Sequence, residues 1–265
     1  RFYERHFRPR GLILGVAGGY PEDFPQKVMN DLGRLPQGSD AVLRLQPPVA
    51  SEGRRALVLE KATPGVAVSA GAPIDVRRGD DDWIALWLAR SWLGEHRSSN
   101  GELFREIREK RDLNFGDYAY IEYFPRAMFQ FYPDANLGRK QHIFQMWLRP
   151  FRSNQEAHFG TRLAVQTLEE LVEEGLTQAQ LDATRSYLKK FVSLLMQTQA
   201  RQLGYGVDAA FYGTPDFATY VRRGLDALTL DAVNAAIREH LYPSRLSFVF
   251  VTRDADNLVR RLTLY

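Results

Sequence analysis

Between Gly101 and Tyr118 the spacing of apolar residues changes within a few positions, and the rest of the chain is arranged around that change. Leu103, Phe104 and Ile107 recur at helical spacing while Arg105, Arg108, Glu109 and Arg111 fill the other positions, which predicts an amphipathic helix. After Asp112, Leu113 and Asn114 the period becomes two. Phe115, Asp117, Ala119 and Ile121 then fall on one face and Gly116, Tyr118, Tyr120 and Glu122 on the other, so a strand follows the helix directly.

At the start of the chain, Arg1 to Phe7 reads as the end of a helix, broken by Pro9, Arg10 and Gly11. The apolar run Leu12 to Ala17 predicts a buried strand, Gly18 to Pro21 a turn, and Asp23 to Leu32 a short helix. The same order recurs near the other end. EHLYPSRLSFVFVT (239–252) overlays RHFRPRGLILGVAG (5–18), matching His6 with His240, Pro9 with Pro243 and Leu12 with Leu246, and a helix over Ala255 to Leu262 follows. A repeat about 230 residues apart is far longer than a solenoid unit and indicates duplicated domains. The expected organisation is the tail of a preceding unit over 1–35, a Gly-, Pro-, Gln- and Ser-rich linker over 36–54, and a second unit over 55–265, with the start of the first unit missing.

In the second unit, Ala56 to Glu60 and Val66 to Pro73 predict two strands around a Thr63-Pro64-Gly65 turn. Asp80, Asp81 and Asp82 are placed to cap a helix over Trp83 to Leu93, which Gly94 ends and whose Trp83 and Trp87, with Trp92, belong to the core. Met128 to Pro133 reads as a further strand. Helices are expected over Thr161 to Glu174, beginning near Ser153 or Asn154, over Leu181 to about Arg201 behind a Thr177/Gln180 capping box, and over Phe217 to Leu225 and Thr229 to Leu241. The Leu181–Arg201 helix is the longest of these. Strands first, helices next and one closing strand give an α+β class: a mixed, mainly antiparallel sheet with helices packed on one face.

Composition narrows the function classes. With 45% hydrophobic and 25% charged residues the chain folds rather than remaining disordered, and no cysteine is available for a disulfide, a thiolate metal site or a nucleophile. No apolar run reaches about 18 residues, so no membrane span is expected. The net charge of +3 is spread among acidic runs such as Asp80 to Asp82, which argues against nucleic acid as a partner. The pairs Arg77/Arg78, Arg222/Arg223 and Arg260/Arg261 read as surface charge.

The segment LFREIREKRDLNFGDY, together with LVLE before a Pro-Gly turn, the helix ending SWLG, EEGLTQAQLDATRSYLKK and the closing strand, resembles the insulinase or pitrilysin family of zinc peptidases. The resemblance covers nearly the whole chain and implies a chamber built from duplicated α/β domains. Active members carry an inverted H-x-x-E-H motif, in which two histidines on one helix face hold zinc and the glutamate activates the metal-bound water. Here the five histidines are at 6, 96, 142, 158 and 240, and no two are four apart.

The resemblance therefore implies the metal-free C-terminal half. No cofactor is expected in this chain. Zinc would be carried by an N-terminal domain or a partner subunit, in a homodimer or a heterodimer, and the substrate would be an unfolded peptide. In the family this half places an arginine at the end of the helix and a tyrosine seven residues later, both reaching toward the substrate carbonyl. The positions are Arg108 and Phe115, so the guanidinium is kept and the hydroxyl is absent. Tyr118 and Tyr120 are candidate substrate-binding residues. The alternative is a noncatalytic structural or peptide-binding relative. Location stays open between a bacterial cytoplasm and periplasm.

Overall fold

The computed structural model describes residues 2–36, 46–95, 100–124 and 132–263. Five strands, β1 (Arg55–Glu60), β2 (Val66–Ile74), β3 (Gly116–Tyr120), β4 (His142–Phe151) and β5 (Ser247–Thr252), form one sheet in the order β1-β5-β2-β4-β3. β1 runs parallel to β5 and the other pairings are antiparallel. This is the mixed, mainly antiparallel sheet of the sequence reading.

The period of two sorts the side chains. Val68, Ala70, Asp117, Ala119, Met146, Leu148, Phe248 and Phe250 share one face through their cross-strand pairing and are buried there. Helices cover that face. α4 (Asn154–Glu174) lies across β2 and β4, α9 (Ala255–Thr263) across β1, and α3 (Trp83–Leu93) against β3, with α5 (Gln178–Leu195), α7 (Phe217–Ala227) and α8 (Leu230–His240) packed on α3. α3 is buried almost all round, as its apolar spacing indicates. α4 approaches the sheet closely through Gly160, where a Cβ would meet the Phe151 ring at 2.4 Å. Ser153 caps α4 and the Thr177/Gln180 box caps α5, each satisfying backbone N–H groups of a first helical turn.

Several expectations change. Leu12 to Ala17 is extended but pairs with no strand among the described residues, and Leu14 is 52% exposed. No sheet edge meets it. The run instead approaches α6 (Gln199–Tyr212), where a Cβ on Gly15 would lie 2.6 Å from Val207. α1 (Phe2–His6) and α2 (Phe24–Leu32) flank it. The helix expected from Leu181 to Arg201 breaks at Met196 to Thr198, because the Thr198 hydroxyl accepts from the Arg201 N–H and starts α6 anew; α4 is the longer helix. The strand expected at Met128 to Pro133 falls mostly outside the described residues. β4 was not foreseen: its helix face carries His142, Phe144, Met146 and Leu148, while Trp147 on the other face packs with Tyr120, Phe124 and Leu137, so no polar face marks its period.

Nor is Arg78 surface charge. It is 4% exposed, donating from Nε to Glu122 at 2.6 Å, from Nη2 to the second Glu122 oxygen at 3.0 Å and from Nη1 to Asp208 at 2.7 Å. The Trp83, Tyr205 and Phe217 rings surround the guanidinium at 5.2–5.6 Å. Asp208 also accepts from the Leu137 N–H at 2.8 Å. Burial works against the Glu122 carboxylate, but the Arg78 charge and bond outweigh it and hold its pKa below the ordinary value. Asp208, where burial prevails, is pushed up to about 6.

Arg78→Met should destabilise the fold by about 3–5 kcal/mol, since it leaves two buried carboxylates without their cation. Urea denaturation measures this, and adding Glu122→Gln should recover part of the loss. A second prediction concerns Asp117, 1% exposed on the helix face of β3. Burial pushes its carboxyl up to about 7, against a bond from Asn114 and the Arg108 charge. Because this folded pKa lies above the unfolded value, the protonated form is favoured in the fold. Its stabilisation is present at acid pH and is lost as pH rises toward 7. Asp117→Asn should therefore gain on the wild type as pH goes from 5 to 8, by up to about 1.4 kcal/mol per pH unit. A pH-independent difference between the two would contradict this.

Candidate functional site

The stretch after α3 builds the candidate site. Leu103 and Ile107 are fully buried, as the helical stripe predicts, but the turn they anchor is wider than an α-helix. Phe104 to Glu109 forms a single π-helical segment, with the Lys110 N–H donating to the Arg105 carbonyl five residues back at 3.0 Å. Such single-turn π segments are frequent at functional sites. The turn closes through Asp112 N–H to Arg108 O at 2.8 Å and Leu113 N–H to Ile107 O at 3.1 Å. Asp112 adopts φ 53°, a left-handed conformation that aspartate tolerates better than most residues.

This closure sets the position of Arg108. Its side chain is 29% exposed and forms an ion pair with Asp112, whose other carboxylate oxygen accepts from Arg152 at 2.7 Å. The Arg108 guanidinium carbon lies 4.9 Å from the centre of the Phe115 ring. Arg108 and Phe115, seven residues apart, are therefore brought together, and Phe115 is 69% exposed beside the cation.

The two tyrosines lie elsewhere. Tyr118 and Tyr120 pair with Trp147 and Gln145 of β4 on the sheet face opposite the helices. Tyr118 is half-buried. Tyr120 is buried, with its ring 4.9 Å from Phe124 and 5.2 Å from Trp147, so it holds the fold before it can meet a ligand. Between the faces, Asn114 donates to Asp117 Oδ1 at 2.5 Å, and Asp117 Oδ2 has no hydrogen-bond partner among the described residues. The register of β3 is pinned by the Ala119 N–H donating to the Gly94 carbonyl at the end of α3, at 2.9 Å.

The site offers a partly exposed guanidinium, held from below by a carboxylate and from the side by an aromatic ring. Such a group can bind a carbonyl oxygen or stabilise negative charge developing on it. The site's carboxylates, Asp112 and Asp117, are not joined by a histidine, and among the described residues no group of three metal-ligating side chains gathers at Arg108. A catalytic zinc does not fit the residues present here. Among the described residues no two histidines join in one group of metal-ligating side chains. His142 is buried with Nε2 3.1 Å from the Tyr212 hydroxyl, and His240 contacts Asp82 at the opposite end of α3.

Comparison with known proteins agrees with this fold. The family model described as Peptidase M16 inactive domain matches residues 1–188. A Streptomyces coelicolor protein named an uncharacterized zinc protease is 29% identical over 133 residues, covering 47% of this chain and 28% of that protein. The solved peptidase M16 inactive domain of Pseudomonas fluorescens superposes with a TM-score of 0.67 at 18% identity, over 88% of this chain and 51% of that one. A Helicobacter pylori protease gives 0.68 at 16% identity, over 94% and 57%. The chain thus spans about half the length of these solved relatives and less of the curated one. It belongs to the peptidase M16 family, matching that family's inactive domain.

Proposed function

We propose that the chain is the C-terminal, chamber-forming and substrate-binding half of an insulinase-like zinc metallopeptidase, with zinc and the general base supplied by an N-terminal domain or a partner subunit. The observation that carries this reading is the Arg108–Phe115 pair on its widened turn. Arg108 presents donors that stay charged at every working pH, and Asp112 limits the freedom of its side chain, so little entropy is lost when it meets a substrate carbonyl. In the assembled protein it stabilises negative charge on that oxygen. The substrate would be an unfolded peptide. When bound in the partner unit, zinc supplies the Lewis acid and the activated water.

Phe115 supports a second reading. A phenyl ring keeps the stacking with Arg108 but donates nothing, and the loss of one oxyanion donor costs about 10²–10³ in rate. A noncatalytic structural or peptide-binding member would tolerate that loss.

The chain alone, incubated with a flexible peptide and added zinc, should cleave nothing; metal-dependent turnover by the purified chain would refute the proposal. In the full assembly, Arg108→Ala should lower kcat by about a hundredfold and leave zinc content unchanged. Unchanged cleavage removes the role given to Arg108. Phe115→Tyr, which restores a hydroxyl, should raise kcat at least about tenfold if the assembly is a peptidase. An assembly inactive both as wild type and with Phe115→Tyr favours the noncatalytic reading.

A further inference from the structure

Histidine spacing along the sequence finds no metal ligands, but the fold brings three of them together. Asp82, the residue before α3, meets Glu239 and His240, the last two residues of α8. One potential ligand atom from each lies within 4.8 Å of the others, and His240 Nε2 is 2.9 Å from Asp82 Oδ2. Asp82 and His240 are half-buried, while Glu239 is exposed and free to turn toward them.

We propose that Asp82, Glu239 and His240 form a structural zinc site that joins the end of α8 to the start of α3. One imidazole nitrogen and two carboxylate oxygens match the ligands zinc takes, and a tetrahedral ion leaves its fourth position to water. With bonds of about 2.0–2.2 Å, tetrahedral ligand atoms stand a little over ~3 Å apart. His240 Nε2 and Asp82 Oδ2, at 2.9 Å, need move apart by only a few tenths of an ångström to reach that spacing. The Glu239 carboxylate closes the remaining distance by a rotamer change.

Asp80 and Asp81 precede Asp82, and the last carbonyls of α8 place partial negative charge beside His240. The backbone around the ligands is closed: the Leu241 N–H donates to Ile237 at 3.0 Å, and the Tyr242 hydroxyl donates to the Glu239 carbonyl.

This site is separate from the one at Arg108. Asp82 and Gly94 flank the two ends of an 11-residue helix, about 18 Å apart, and β3 is tied to the Gly94 end. Its ion cannot serve the peptide chemistry. Its role is to fasten α8 to α3, the helix whose far end sets the register of β3.

The test uses the purified 265-residue chain, stripped with a chelator and titrated with zinc chloride. Equilibrium dialysis should give one zinc per chain, and saturating zinc should raise Tm by about 5 °C. Cobalt at the same site should show the visible absorption of a four-coordinate ion, which zinc displaces. Glu239→Gln, on the surface, and His240→Ala should each weaken zinc binding at least about tenfold and abolish the Tm rise. Circular dichroism of the metal-free variants keeps a folding defect distinct from lost binding. The proposal is overturned if the wild type takes up no zinc, or if both variants, folded, bind it as tightly as the wild type.

Discussion

A guanidinium is tolerated in a protein interior only where its donors find acceptors, and Arg78 finds them on stretches far apart in the chain. It stands in the loop between β2 and α3. Glu122 follows β3 directly, and Asp208 is on α6, which caps the far side of the cluster and also receives the Leu137 N–H. Closing this one cluster brings the sheet edge, the start of α3 and the α6–α7 pair into register. The cost of leaving any member unpaired is what makes the arrangement specific.

Arg108 depends on the same closure, although it touches none of these groups. β3 is held just beyond its C-terminal end by Glu122 in the cluster and at its next-to-last residue by the Ala119 bond to Gly94. The segment preceding β3 therefore has little freedom. The π-turn, the left-handed Asp112 and the stack of Arg108 on Phe115 all lie within it. A partly exposed cation is thereby positioned by buried contacts several residues away.

What the sequence made legible was local. The Leu103 and Ile107 stripe, the Gly94 stop and the Thr177/Gln180 box rest on contacts within a turn or two, and each stands where its spacing put it. Arg108 and Phe115 were singled out only through the family resemblance, and the turn between them brings the two side chains together. Arg78 was misread because its partners are 44 and 130 residues away, and Asp82 with His240 was missed for the same reason, at a separation of 158. β4 lacks alternation because both of its faces are covered. The break before α6 contains neither glycine nor proline, only Thr198 turning its hydroxyl onto the next helix. Leu12 to Ala17 has the composition of a buried strand, yet burial belongs to the sheet that receives a strand and not to the strand itself.

That last point bears on how the candidate site can work. The strand-like run Leu12 to Ala17, which pairs with no strand among the described residues, and the partly exposed Arg108 guanidinium both leave groups uncovered on the surface of this chain. Arg108 is held by Asp112 and Phe115, both from this chain, so its position requires no metal. Preorganisation of that kind is useful when the reacting groups come from elsewhere. On the function proposed above, the cation is placed before a partner surface closes over a peptide, and closing need only bring the substrate carbonyl to it. Phe115 preserves this placement while withholding a second donor. On the same proposed function, the missing hydroxyl acts on charge that develops during reaction, while the ring contact with Arg108 is kept.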